Sequence, residues 1–226
     1  MRSSTMTIIA AFTMLLRGAA QPPNQAPATM TKLVVRLIGP EIKAGSFAAL
    51  PKTIYVAGPH YARIESPPDS RQGVQKLTII AEPDAYSVNL IDKKGTHVID
   101  QGGPNDLHLP IILPFDPKHE FGILDKLEFG DELEFFQQVG AVKQAGPIVN
   151  AQPTDSYVVK TPRATATLVV KPDTQVPITL SWECKDGKHT YEYITRQELP
   201  FDPALFARPA GVVFKEVVPD TSAEQG

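Results

Sequence analysis

From Arg163 to Val218 the chain alternates apolar and polar residues on either side of two turn signals, Lys171-Pro172-Asp173 and Lys185-Asp186-Gly187-Lys188. A period of two places successive side chains on opposite faces of extended backbone, so the segment is constrained to antiparallel strands with one buried face. In the second of these strands Ile178, Leu180, Trp182 and Cys184 share a face, opposite Thr179, Ser181 and Glu183. In the third, His189, Tyr191, Tyr193 and Thr195 fall together, opposite Thr190, Glu192, Ile194 and Arg196. The run Pro200-Phe201-Asp202-Pro203-Ala204-Leu205-Phe206 then breaks the pattern. Asp202 is placed to cap a short turn opened by Pro203, which presents Phe206 inward. A corner from Pro209 to Gly211 starts the last strand.

The rest of the chain fits a β-dominated fold. Its 22 prolines in 226 residues leave little room for long helices. The length, with 42% hydrophobic and 21% charged residues, suits one domain with a sizeable core or cavity. Lys32 to Ile38 reads as a strand, or as a short helix with Leu33, Leu37 and Ile38 inward, and Pro40 ends it either way. Thr53 to Ala57 and Tyr61 to Ser66 follow as strands around Gly58-Pro59, then Gly73 to Ala81 and Ala85 to Asp92 around Glu82-Pro83-Asp84. On the last of these Tyr86, Val88 and Leu90 share a face. Lys118 to Val139 is helical in pattern: Phe121, Leu124, Leu127, Leu133, Phe136 and Val139 recur at three- and four-residue spacing. Phe129-Gly130-Asp131 interrupts it, which predicts two short helices or one kinked one.

Residues 1–20 read as an export signal, with Arg2 before the apolar run Met6 to Leu16 and small residues at Gly18-Ala19-Ala20. That run is too short to span a bilayer. Residues 21–29 form a Pro/Gln/Asn linker, 30–219 the single domain and 220–226 a disordered tail. Losing Arg2 and Arg17 with the signal takes Lys+Arg from 22 to 20 against 25 Asp+Glu, a net charge of −5. That balance argues against a nucleic-acid partner. Cys184 is the sole cysteine, so an internal disulfide is excluded, and its apolar neighbours suggest a small buried residue.

The order of the C-terminal pieces resembles the end of LolA-type carriers and related outer-membrane lipoprotein-sorting domains. The matching residues are Asp173 with Pro177, Asp186-Gly187, Leu205-Phe206 and Pro209-Ala210-Gly211-Val212. The resemblance implies a mainly β (α+β) fold: a strongly curved antiparallel sheet of about ten strands, an open half-barrel with a helix plugging its concave side. It implies a non-enzymatic, monomeric, periplasmic or extracellular protein that binds a lipid or acylated lipoprotein without a cofactor, with envelope proteins as further partners. The lining it implies comprises Tyr55, Arg63, Tyr86, Val88, Leu90, Phe136, Trp182, Tyr191, Tyr193 and Phe206. Arg63 would pair with a lipid phosphate or carbonyl, or else with Glu65 or Asp69 at the surface. The helix, with Phe135 and Phe136, would be a gate, or else a permanently packed amphipathic helix.

Two alternatives stand beside this reading. The same fold with a filled cavity would serve as a protein-binding or sensor module. His97, Asp100, Asp106 and His108, around a Gly-Gly-Pro turn, are groups that bind zinc or act as acid and base, so a metal-dependent hydrolase centred on His97 and His108 is the other. Their spacing matches no specific zinc signature, and no nucleophile elbow, Walker loop or dinucleotide fingerprint occurs in the chain.

Overall fold

The computed structural model describes residues 26–40, 42–100, 107, 122–185 and 187–217. The expected export signal, the linker up to residue 25, Asp106, His108 and the tail 220–226 lie outside the described residues. The chain runs through β1 (Thr29–Ile38), β2 (Lys52–Ala57), β3 (Tyr61–Glu65), β4 (Lys76–Ala81), β5 (Asp84–Asn89), β6 (Lys94–Ile99), α1 (Glu132–Gln138), β7 (Val142–Ala145), β8 (Asp155–Lys160), β9 (Ala164–Val170), β10 (Pro177–Cys184), β11 (Gly187–Pro200) and β12 (Val213–Val217). Short 3-10 turns occupy Phe47–Ala49, Gly122–Lys126 and Pro203–Phe206.

The twelve strands form one sheet, in the order β12-β6-β5-β4-β3-β2-β1-β11-β10-β9-β8-β7. Strand twist accumulates across so wide a sheet and makes it curl. The result is a curved, unclosed half-barrel with α1 against one face. Lys32 to Ile38 is strand: β1 lies at the centre, antiparallel to β2 on one side and β11 on the other, and joins two meanders.

Register assigns every residue to a face, because residues paired across a ladder point the same way. On the face that carries α1, here the helix face, Leu33 pairs with Ile54, Val35 with Tyr193, Leu180 with Tyr191 and Leu168 with Tyr157. These residues, with Trp182, Val170 and α1's Phe135 and Phe136, form one core. On the opposite face Tyr55 pairs with Arg63, Arg63 with Ile79, Ile79 with Tyr86 and Tyr86 with His97. A second core forms there from Met30, Ala57, Leu77, Ile79, Tyr86, Val88 and Phe206. The sheet therefore buries its two halves on different sides.

Four details depart from the alternation read in the sequence. A bulge at Ile194 in β11 lets Val34 pair with Thr195 and Leu33 with Arg196, so Arg196 rather than Thr195 joins Tyr193 on the helix face. A second irregularity between Pro177 and Thr179 puts Pro177, opposite Val170, where Ile178 was expected. β5 ends at Asn89, and Leu90 sits in the following turn with its N–H donating to the Gln75 carbonyl at 2.9 Å and its side chain 36% exposed. Finally, β12 is not antiparallel: residues 201–212 cross the opposite face and deliver it to the far edge, parallel to β6. Gly95 makes that docking feasible, since a Cβ there would lie 2.6 Å from the Ser87 carbonyl and 3.1 Å from the Phe214 ring.

Candidate groove beneath the helix

Of the expected helical segment, residues 118–121 lie outside the described residues, and the rest divides as its pattern predicts, into the 3-10 turn Gly122–Lys126 and α1. Gly130 separates them with φ at 105°, a conformation that an L side chain resists. In α1, Glu132, Phe135 and Phe136 lie at i, i+3 and i+4 and so share the inward stripe. Glu134 accepts from the Gln138 amide at 2.8 Å on the outer face. Asp131 precedes the helix without capping it; Glu132 instead reaches back, its Oε1 accepting from the Gly130 N–H at 2.9 Å.

Glu132 escaped the sequence reading and is the most unusual group on this face. It is 1% exposed, and its Oε1 also accepts from the Tyr193 hydroxyl at 2.7 Å, while Oε2 has no hydrogen-bond partner. Burial pushes the carboxyl above the usual carboxylate range, against the opposing pull of the Gly130 and Tyr193 hydrogen bonds. Tyr193 is itself raised well above the ordinary phenol value, by burial and then by Glu132. Arg196 donates to the Gly130 carbonyl at 3.2 Å, a second tie between β11 and the start of α1. The signal was in the spacing: a glutamate at i of a stripe with Phe at i+3 and i+4 must point inward.

Between α1, the turn before it, the start of β1 and the end of β2 runs a groove of about 740 Å³. Its apolar surface comes from Met30, Val56, Ile123, Phe129, Phe135 and Val139, and its rim from Lys126, Glu128, Asp131, Glu134 and Gln138. Ile123 is 44% exposed there. Glu128 and Glu134 crowd Asp131, whose carboxyl is raised first by desolvation and then by these like charges. Deeper in, behind α1, the space is filled: Phe136, Leu168 and Trp182 are 0%, 0% and 3% exposed within one packed cluster.

The expected lining residues divide between the two faces. Phe136, Trp182, Tyr191 and Tyr193 are on the helix face, in the core beneath the groove. Burial pushes the Tyr191 phenol up to about 12. Tyr55, Arg63, Tyr86, Val88 and Phe206 are on the opposite face, and Leu90 is at an exposed turn. The ten do not surround one space, because register sends the tyrosines of β2 and β5 to the side away from α1. Arg63 is engaged locally: Nε donates to Glu65 at 2.6 Å and Nη1 to the Leu205 carbonyl at 2.8 Å. It thereby holds the Pro203–Phe206 turn, which Asp202 caps by accepting from the Ala204 N–H at 3.0 Å.

His97 is likewise enclosed. Its ring stacks on Tyr86 at 4.6 Å, Nε2 lies 2.6 Å from Asp84 Oδ1, and Nδ1 meets Glu216 on β12. Arg208 donates to Glu216 at 3.2 Å and lies over the Phe214 ring at 4.5 Å. The two ring nitrogens thus face separate carboxylates on different strands, and among the described residues no group of three His, Cys, Asp or Glu side chains is arranged to hold a metal ion. No helix among the described residues is long and apolar enough to cross a membrane.

No family model and no curated protein sequence matches the chain. Among solved structures, an uncharacterised conserved protein from Thermus thermophilus is similar over 84% of this chain and 91% of its own, with 10% identity and a TM-score of 0.47. A DUF1329 family protein from Desulfovibrio piger is similar over 81% of this chain and 91% of its own, at 9% identity and a TM-score of 0.35. A putative outer membrane lipoprotein-sorting protein domain from Vibrio parahaemolyticus is similar over 76% of this chain and 84% of its own, at 8% identity and a TM-score of 0.27.

Proposed function

We propose that this chain is a non-enzymatic binding protein of the cell envelope that takes the apolar part of a lipid or lipoprotein acyl group into the groove beside α1. The observation that carries the reading is the groove itself, whose volume of about 740 Å³ falls within the range of small-ligand sites and whose lining sets Met30, Val56, Ile123 and Val139 among polar and charged side chains. Each methylene removed from water there contributes ~0.8 kcal/mol, so affinity needs no specific polar contact. Residues 1–20, with their charged start and short apolar run, support an exported location. The groove replaces the ten-residue cavity as the binding surface, and α1 is one wall of it.

Native mass spectrometry with organic extraction tests this on full-length protein purified without detergent from an exporting host. Co-purifying acyl species, lost in Ile123→Glu and Val139→Glu variants that keep the wild-type unfolding midpoint, are the expected result. A ligand-free mass, together with no binding of a fluorescent long-chain alcohol, would overturn it. The packed interior around Trp182 favours one other reading, a protein-binding or sensor module on the same fold. That reading predicts groove variants that lose a protein partner while binding no alcohol in either form.

A further inference from the structure

Glu132 is a buried carboxyl at the N-terminal end of α1, which forms one wall of the groove. Its hydrogen bonds tie α1 to two other parts of the molecule: the Gly130 N–H before the helix and the Tyr193 hydroxyl on β11. One oxygen is satisfied twice and the other not at all. An ionised carboxylate buried this way has both its donors on one oxygen and leaves charge on the other with nothing to replace lost water, whereas the protonated acid is neutral and tolerates the site better. Lifting α1 by one turn would give Oε2 water and would open the wall of the groove.

We propose that Glu132 and Tyr193 form a proton-controlled latch: α1 is held against the sheet while the Glu132 carboxyl carries its proton, and loosens when that proton leaves. The inference rests on the reading of the groove given above and supplies its regulation. The groups facing Glu132 from β11 are Tyr193 and Arg196, with Tyr191 and His189 further along that strand. β8 brings Tyr157 and Asp155, the latter paired with Lys143 of β7 at 2.8 Å; β9 brings no titratable side chain, and β10 brings Cys184. On its own segment stand Glu128, Asp131 and Glu134. Arg196, turned to this face by the Ile194 bulge, is the cation among them that acts on Glu132, and it donates to the Gly130 carbonyl rather than to Oε2.

The sign follows from burial. A carboxyl raised in the closed state binds its proton more tightly closed than open, so closure is fully favoured below the ordinary carboxylate value and is lost as pH rises through the raised one. Between those two values the open fraction grows by up to about tenfold per pH unit, the slope for release of one proton, and above the raised value it levels off.

Hydrogen–deuterium exchange of the full-length chain, corrected for intrinsic rates, measures this at the α1 amides between pH 4.5 and 8. The expected result is α1 protection that falls with pH in the wild type, becomes flat in Glu132→Gln and keeps its slope in Asp131→Asn. A flat wild-type profile, or a slope unchanged by Glu132→Gln, would overturn the latch. A neutral fluorescent long-chain alcohol, read in the same samples, separates the two readings. Binding without pH dependence removes the latch and leaves the groove; an α1 slope without binding at any pH keeps the latch and removes the acyl ligand.

Discussion

The two faces of the sheet are closed in different ways. On the opposite face, residues 201–212 and β12 are tied down by groups that are each answered: Arg63 to the Leu205 carbonyl, Asp202 to the Ala204 N–H, and His97 between Asp84 and Glu216. On the helix face the cover is a seven-residue helix whose one buried charged group keeps an unanswered oxygen. So short a helix has little stability of its own and depends on its packed stripe. A cover with every polar group satisfied is built to stay, whereas one that buries an unsatisfied acid is poised to move.

Truncating a core residue should disturb this contrast most. Phe136→Ala, at 0% exposure, is expected to cost about 3–5 kcal/mol in urea unfolding. It should also raise exchange across α1 while β12 amides stay protected; equal loss at both sites would mean that the faces unfold as one. Next comes Arg63→Met, which leaves the Leu205 carbonyl without its charged donor and is expected to cost about 1.5–3 kcal/mol, with faster exchange at Leu205 and β12 and none at α1. Tyr193→Phe removes one donor to Glu132 and is expected to cost about 1–3 kcal/mol, with its exchange signature confined to α1.

The weakest response is that of the opposite face to pH, and its sign is reversed. Desolvation opposes the shift, but hydrogen bonds from His97 and Arg208 hold the Glu216 carboxyl below its usual range. Its contribution is therefore present above the ordinary carboxylate value and is lost as pH falls through the depressed one. Glu216 is exposed, so the pair is well screened and the effect modest. β12 exchange should rise on acidification, and Glu216→Gln should remove that rise; a β12 profile that instead loosens with alkali would erase the contrast with α1.

Much of this was legible locally. The Asp202 cap, the inward Phe206, the division of the helical segment at Gly130 and the β-dominated class all follow from short-range rules, and the structure reproduces them. β6 was missed because Gly95, Thr96, His97 and Val98 stand just before the sequence Gly-Gly-Pro and read as chemistry rather than as strand. Half of the expected lining went to the wrong side of the sheet for another reason. Alternation gives each strand an apolar face without stating which neighbouring faces coincide.

Where most strands, turns and the helix lie was already contained in the order of residues, since these elements depend on neighbours within a few positions of one another. Tertiary pairing alone made β1 the join between two meanders, turned Arg196 toward α1 through the bulge at Ile194, and set Tyr86 and Tyr193 on opposite sides of one sheet. It also brought Glu132 to Tyr193 across 61 residues of chain. Such partners are chosen by pairing order and by the competition for buried area across the whole sheet, which no window of local sequence contains.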